Sequence, residues 1–299
     1  MIGTLIGALA LFATQTPHNA QMALHASLPS ANPAQVRPSP PRKIRPESLG
    51  METSSQCAFV ADVASGQVLY AKDAHRVLPL ASLTKLITAM TFLDMKPDMT
   101  KTVTVLPEDE DTQDTLVFPV GETLTYKQVF QSMLIGSVNT SANLVARTTL
   151  GRQAFIEAMN KKVQDLHLQS PHFVDPSGLD SDNQGDAADV AAILSTALSY
   201  PEIREATQMP EVDFQTSIKA YKIKSTNLLM RSYLNQKPYA IVAAKTGSLP
   251  AVGFNMAQVT KNADGHQVVA VELGSNDTFE RFADIKALTT WAFDTYQWN

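Results

Sequence analysis

Apolar positions along the chain change period several times, and each change predicts an element. Cys57-Ala58-Phe59-Val60-Ala61-Asp62 and Gln67-Val68-Leu69-Tyr70-Ala71 flank a turn containing Gly66, the pattern of a β-hairpin. From Ser82 to about Asp94 the spacing becomes helical, through Leu83, Leu86, Ile87, Met90 and Leu93, and Pro97 prevents much continuation. Between Thr102 and Thr125, short β-prone pieces surround the acidic stretch Glu108 to Asp111, which reads as a solvated loop because the ligand order of a calcium loop is absent. Three helical segments follow, Tyr126 to Ile135, Thr140 to Leu150 and Arg152 to His167, with Gly136 and Gly151 as punctuation. Near the carboxyl end, Ala240 to Thr246, Gly253 to Val259 and Gln267 to Leu273 read as strands, and Glu280 to Tyr296 as a closing helix. Strands at both ends with helices between predict one sheet assembled from the two termini, carrying a helical insertion. No internal repeat interrupts this plan.

Ahead of Met51 the pattern is of another kind. Ile2 to Ala13 form an apolar run of signal-peptide length, short for a membrane span, although no Lys or Arg precedes it. Residues 1–26 are therefore expected to be a signal peptide, and the protein to be exported to the periplasm or another extracytoplasmic space. Residues 27–50 are rich in proline and poor in apolar side chains, the composition of a linker, and Arg37, Arg42, Lys43 and Arg45 read as a solvated basic tether. That leaves residues 51–299 as the folded unit, with no strong membrane anchor expected beyond the N-terminal segment.

Composition narrows the chemistry. The formal net charge of -5 argues against a phosphate-tracking surface, so no nucleic-acid partner is expected. A single cysteine, Cys57, excludes an intramolecular disulfide and a thiolate metal cage, and it reads as a buried strand residue. The six histidines show no ligand spacing, so neither a metal nor a cofactor is implied.

Three short stretches carry reactive groups. Ser82-Leu83-Thr84-Lys85 places a hydroxyl and an amine three residues apart at the opening of a helix, so both share one face. The amine can act as the base for the hydroxyl if burial or neighbouring positive charge keeps it unprotonated, and the helix amino terminus favours developing negative charge. Lys245-Thr246-Gly247 ends a predicted strand, where a cation and a hydroxyl can grip a carboxylate and the glycine admits close backbone approach. Ser137-Val138-Asn139 falls in the break between two helices and offers a hydroxyl for proton relay and an amide for holding a substrate amide. Ser30-Ala31-Asn32, Ser141-Ala142-Asn143 and Ser225-Thr226-Asn227 have the same spacing, but Gly136 leaves Ser137 in a loop whereas Ser141 falls inside the next helix.

This order of S-x-x-K, S-x-N and K-T-G is the signature of β-lactamases and penicillin-binding proteins. Over residues 55–299 the chain resembles the low-molecular-mass penicillin-binding proteins, which are serine-type D-Ala-D-Ala carboxypeptidases and endopeptidases. The flanking blocks Ala81 to Leu86, Phe173-Val174-Asp175-Pro176-Ser177-Gly178-Leu179 and Gly253-Phe254-Asn255 share in that resemblance. It implies a fold of the α+β type, an antiparallel five-stranded sheet flanked by helices with an all-helical subdomain and the site between them. By position, Ser82 would be the acylated nucleophile, Lys85 its base, Ser137 a proton relay and Asn139 a substrate holder. Lys245 and Thr246 would bind the peptide's carboxylate beside Gly247, and the amides of Ser82 and Ser248 would form the oxyanion hole. The substrate would be a peptidoglycan stem peptide or cross-link, and β-lactams would be covalent inhibitors.

The chain departs from the family at Ala243-Ala244, where a short acidic-glycine pair is usual, and at Thr140, where many members carry Asp. It ends about 50 residues after the K-T-G stretch, as the short endopeptidase branch does. Two other functions compete. A class A β-lactamase needs a glutamate followed four residues later by asparagine, but Glu157, Glu202, Glu205 and Glu211 meet Lys161, Ala206, Met209 and Gln215. A catalytically idle peptidoglycan-binding module would not need Ser82 and Lys85 together.

Overall fold

The computed structural model describes residues 38–110 and 118–299, so the expected signal peptide and residues 27–37 of the expected linker lie outside the described residues. At its centre is an antiparallel five-stranded sheet. Its strands are β1 (Cys57–Asp62), β2 (Val68–Lys72), β3 (Ala240–Leu249), β4 (Gly253–Lys261) and β5 (Gln267–Ser275). They lie in the order β3-β4-β5-β1-β2, so strands from the two ends of the chain meet where β5 pairs with β1, as in Ala270 opposite Val60.

The central strands are apolar without alternation because both faces are covered. Val269, Val271, Leu273, Phe59 and Val259 point into the helical subdomain. Val268, Ala270, Val60, Ala58 and Met256 face the closing helix, meeting Ile285, Leu288 and Trp291.

The helical subdomain is built around α1 (Lys85–Asp94), whose residues from Lys85 to Phe92 are all buried. Around it pack α2 (Tyr126–Ile135), α3 (Asn139–Thr149), α4 (Arg152–Asp165) and α5 (Ala187–Ala197). Phe92 anchors this packing, edge-on to Tyr126 at 5.1 Å and stacked with Phe130 at 6.1 Å. Local signals start the helices: Thr125 and Gln128 form a reciprocal capping box on α2, and Asp186 accepts the Asp189 amide at 2.7 Å on α5. A short α6 (Pro201–Gln208) lies against β3, and Asp277 caps α7 (Thr278–Thr295), the helix behind the sheet.

Four sequence expectations need correction. The stretch Lys245-Thr246-Gly247 does not end its strand, because β3 continues to Leu249 and turns at Pro250. Ser82 does not open an α-helix but sits in a 3-10 turn, Ala81–Thr84, that leads into α1. The last part of the presumed linker is pinned to the fold: Arg42 and Lys43 pair with Gln297 and Tyr296, and the Trp291 indole donates to Ser48 Oγ at 2.7 Å. Asp109 is not solvated; it is fully buried and receives two bonds from the Arg147 guanidinium, at 2.8 and 2.7 Å.

Candidate active site

The cleft begins with a backbone constraint. Ala81 takes a positive φ of 51°, which turns the chain sharply into the 3-10 turn that carries Ser82. Two glycines let other segments approach this turn closely. A Cβ on Gly178 would stand 2.0 Å from Ala81 O, and Gly178 itself has φ 87°. A Cβ on Gly247 would lie 3.0 Å from Leu80 O and 3.2 Å from the Ser82 amide nitrogen. The third residue of the K-T-G stretch thus brings β3 against the backbone of the turn that carries Ser82.

Three residues further on, Lys85 is fully buried at the head of α1. Its Nζ lies 2.8 Å from Ser82 Oγ, 2.6 Å from Asn139 Oδ1 and 2.6 Å from Ser177 O. The last contact comes from the loop Phe173 to Leu179, which the Asp175 carboxylate organises by accepting the amides of Ser177, Gly178 and Asp180 and the Ser177 hydroxyl. Asn183 closes the loop by accepting the amides of Val174 and Asp175 and donating to Asp175 O. Charge-assisted bonds of this kind are the strong ones, so one buried carboxylate fixes the carbonyl that meets Lys85.

The second wall comes from the break between α2 and α3. Ser137 takes φ 61° there, and its Oγ receives a 2.7 Å bond from Lys245 Nζ. Ser141 is buried within α3, its hydroxyl 2.8 Å from Ser132 Oγ. The third wall is β3. Lys245 is 2% exposed, and its Nζ also donates to Thr246 O at 2.8 Å. Thr246 Oγ1 lies 2.6 Å from Thr226 Oγ1, while Ser248 is exposed at the rim.

Burial above all holds the Lys245 ammonium well below the ordinary lysine range, and the Arg281 guanidinium adds to the effect. Arg281, on α7, is itself lowered to about 10 by burial. Its guanidinium donates to Gly247 O at 2.8 Å and lies over the Phe254 and Phe282 rings. It braces the K-T-G backbone from behind.

The eight sequence-predicted site residues therefore occupy three walls of one cleft. Sequence reading singled out neither Ser177 O, a backbone atom, nor Thr226, which stood among the discarded S-x-N matches. Asn255, quoted with its glycine-phenylalanine neighbours, is a strut: it donates to Pro79 O at 2.9 Å and accepts the Gly274 amide at 2.8 Å.

Residues 42–277 match the family model of peptidase S11, described as D-alanyl-D-alanine carboxypeptidase. The D-alanyl-D-alanine endopeptidase of Pseudomonas aeruginosa is 30% identical over 274 residues, covering 86% of this chain and 82% of that protein. Its Escherichia coli counterpart is 28% identical over 259 residues, covering 80% and 77%. Among solved structures, the Streptomyces K15 DD-transpeptidase superposes with a TM-score of 0.77 at 21% identity, over 83% of this chain and all of that one. A D-alanyl-D-alanine carboxypeptidase from Mycobacterium tuberculosis gives 0.73 at 24% identity, over 87% and 96%. The solved structures share the fold, the family model spans all three walls of the cleft, and this chain belongs to the D-alanyl-D-alanine carboxypeptidase family of serine peptidases.

Proposed function

We propose that this serine-type D-Ala-D-Ala peptidase uses Ser82 as nucleophile and Lys85 as its base, on peptidoglycan stem peptides or their cross-links. The observation that carries this reading is the environment of Lys85 Nζ. An uncharged amine has two hydrogens and one lone pair. With the hydrogens directed to Asn139 Oδ1 and Ser177 O, both at 2.6 Å, the lone pair is left for the Ser82 hydroxyl at 2.8 Å.

In the first step Lys85 Nζ takes the hydroxyl proton as Ser82 Oγ bonds to the D-alanyl carbonyl carbon. The amides of Ser82 and Ser248 receive the developing oxyanion. The carbon–nitrogen bond then breaks, and Ser137, held by Lys245 Nζ at 2.7 Å, relays the proton that Lys85 took to the departing amine. In the second step Lys85 takes a proton from the water that attacks the acyl carbon and hands it to Ser82 Oγ as the ester bond breaks, leaving the water hydroxyl on the released acid. A β-lactam enters the same first step and stays as a covalent inhibitor. Lys245 and Thr246 hold the substrate's free carboxylate, and Asn139 holds the peptide.

The relatives from Pseudomonas aeruginosa, Haemophilus influenzae and Escherichia coli bear the name endopeptidase, which supports cross-link cleavage as the preferred mode. Such a substrate places the enzyme outside the cytoplasm, in line with the apolar run at residues 2–13. No described helix is long and apolar enough to cross a membrane.

Incubation with fluorescent penicillin tests the central assignment. Wild-type protein should give a labelled band that Ser82→Ala abolishes and Lys85→Ala strongly reduces; an unlabelled wild type would refute it. Mass analysis of products should show cleaved cross-linked dimers, and release of terminal D-alanine alone would refute the endopeptidase preference.

A further inference from the structure

Thr226 belongs to none of the three motif stretches, yet it touches one of them and the helix end that leads into another. Its amide donates to Ile135 O at 3.1 Å, at the end of α2 just before the break that carries Ser137. Its hydroxyl lies 2.6 Å from Thr246 Oγ1 on β3. The segment leading to it packs into the same break, where a Cβ on Gly136 would stand 2.4 Å from Ile223 Cγ2. The residue after it is fixed as well: Asn227 donates to Gln258 Oε1 at 3.3 Å and accepts the Leu229 amide at 2.9 Å. The Thr226 hydroxyl is thus presented from a backbone tied down on both sides.

Two hydroxyls at this separation share one proton between them and keep the other. When Thr226 donates, the Thr246 proton must point elsewhere; when Thr246 donates, the spare proton is on Thr226. Either way one hydroxyl proton of the pair remains, next to a strand whose Lys245 ammonium is buried and forms no ion pair among the described residues. We infer that Thr226 is a positioning residue for the substrate carboxylate, orienting the Thr246 hydroxyl so that the pair presents its spare donor to the anion that Lys245 attracts. The inference rests on the carboxylate-binding role of Lys245 and Thr246 proposed above, and it adds a residue outside the three motif stretches.

Thr226→Val removes the hydroxyl at nearly constant size, and Thr226→Ser restores it. Two acyl donors separate the possible roles: a peptide ending in D-Ala-D-Ala with its carboxylate free, and an activated thioester of the same acyl group whose leaving thiol carries no carboxylate. In Thr226→Val the KM for the peptide should rise roughly 3- to 10-fold with kcat little changed, the worth of one neutral hydrogen bond. Turnover of the thioester should stay near wild type, and Thr226→Ser should recover the peptide KM. Equal losses on both donors, or a valine variant indistinguishable from wild type on the peptide, would overturn the inference while leaving the acyl-serine reading intact. A wild-type protein that hydrolyses neither donor and takes up no penicillin would refute that reading, and the inference with it.

Discussion

Gly247→Ala separates two things that glycine does here, forming strand and admitting close contact. Gly247 pairs with Asn255 in the β3–β4 ladder and has no positive φ, so alanine suits its backbone conformation. The added Cβ would meet Leu80 O at 3.0 Å, Ala81 Cβ at 3.2 Å and the Ser82 amide nitrogen at 3.2 Å, each short by a few tenths of an ångström. Overpacking of that size costs about 1 kcal/mol, the low end of its usual range, because the strand edge and turn can part slightly. The same small parting moves the Ser82 amide away from β3 and opens the proposed oxyanion site. Misplacing a reacting group by about 1 Å costs on the order of 100-fold in rate, and loss of one oxyanion donor as much or more. Gly247→Ala should therefore acylate roughly 10- to 100-fold more slowly with fluorescent penicillin, while its denaturation midpoint moves little. Gly178→Ala supplies the contrast, since its Cβ would overlap Ala81 O at 2.0 Å from a backbone at φ 87°, so stability should fall together with acylation. If Gly247→Ala acylates at the wild-type rate, the contact between β3 and the Ser82 turn does not govern the chemistry and the argument fails.

Two further predictions concern pH. Glu272, on β5 facing α7, is fully buried with Oε1 on the Ser55 hydroxyl, and burial followed by the charge of Asp284 pushes its carboxyl well above the ordinary range. The folded state thus keeps a proton that the unfolded chain releases above pH about 4.5, so this stability is complete below that pH and is lost as pH climbs towards the raised value. Glu272→Gln, which cannot ionise, should match wild-type Tm near pH 4 and exceed it increasingly through neutrality; a constant offset at all pH values would refute the shift. For Lys245 the direction is opposite, because its lowered pKa removes the cation as pH rises. The kcat/KM for a carboxylate-bearing peptide should accordingly fall on an alkaline limb well below pH 10.5, and a flat profile up to that pH would show that the Lys245 charge is not used.

Residue types made the chemistry legible in the sequence, while the scaffolding behind it was legible only where it has a period. The 57–71 hairpin, the helix after Ser82 and the three helices from Tyr126 onward lie within a few residues of their predicted bounds, because apolar spacing and glycine or proline punctuation define them. Between His167 and Ala240 no element was assigned. There α5 has eight of its eleven residues buried, so its apolar positions run together without a polar face to reveal a helical period. The hairpin Glu211–Gln215 with Ala220–Lys224 turns through Thr216-Ser217-Ile218-Lys219, which contains none of the usual glycine or asparagine punctuation. The strand carrying Lys245 was cut short at Gly247 because glycine is a poor strand former, and the reason it is tolerated is the contact with Leu80 and Ser82, which only the folded chain displays. Ser177 was quoted in a flanking block, but the part its carbonyl plays was not legible for a related reason: a carbonyl oxygen is common to every residue type.

Buried cations give these observations a common physical origin. Lys245 and Arg281 are almost wholly withdrawn from water, and neither forms an ion pair among the described residues. Burying an uncompensated charge is unfavourable by several kcal/mol even after relaxation, and a fold selected for stability alone would pair or remove it. Here Arg281 has its charge spread over carbonyls and aromatic faces, and Lys245 donates to a hydroxyl and a carbonyl oxygen among the described residues. Among the described residues Lys245 meets no carboxylate, and in the proposed mode of binding the peptide's own carboxylate supplies one. Attraction for that carboxylate grows with the same desolvation that lowers the lysine's pKa, so the cost of burying Lys245 and its proposed grip on the substrate are one electrostatic quantity seen from two sides. The glycines at 178 and 247 belong to the same account, since each admits the backbone that completes the cleft around the amines.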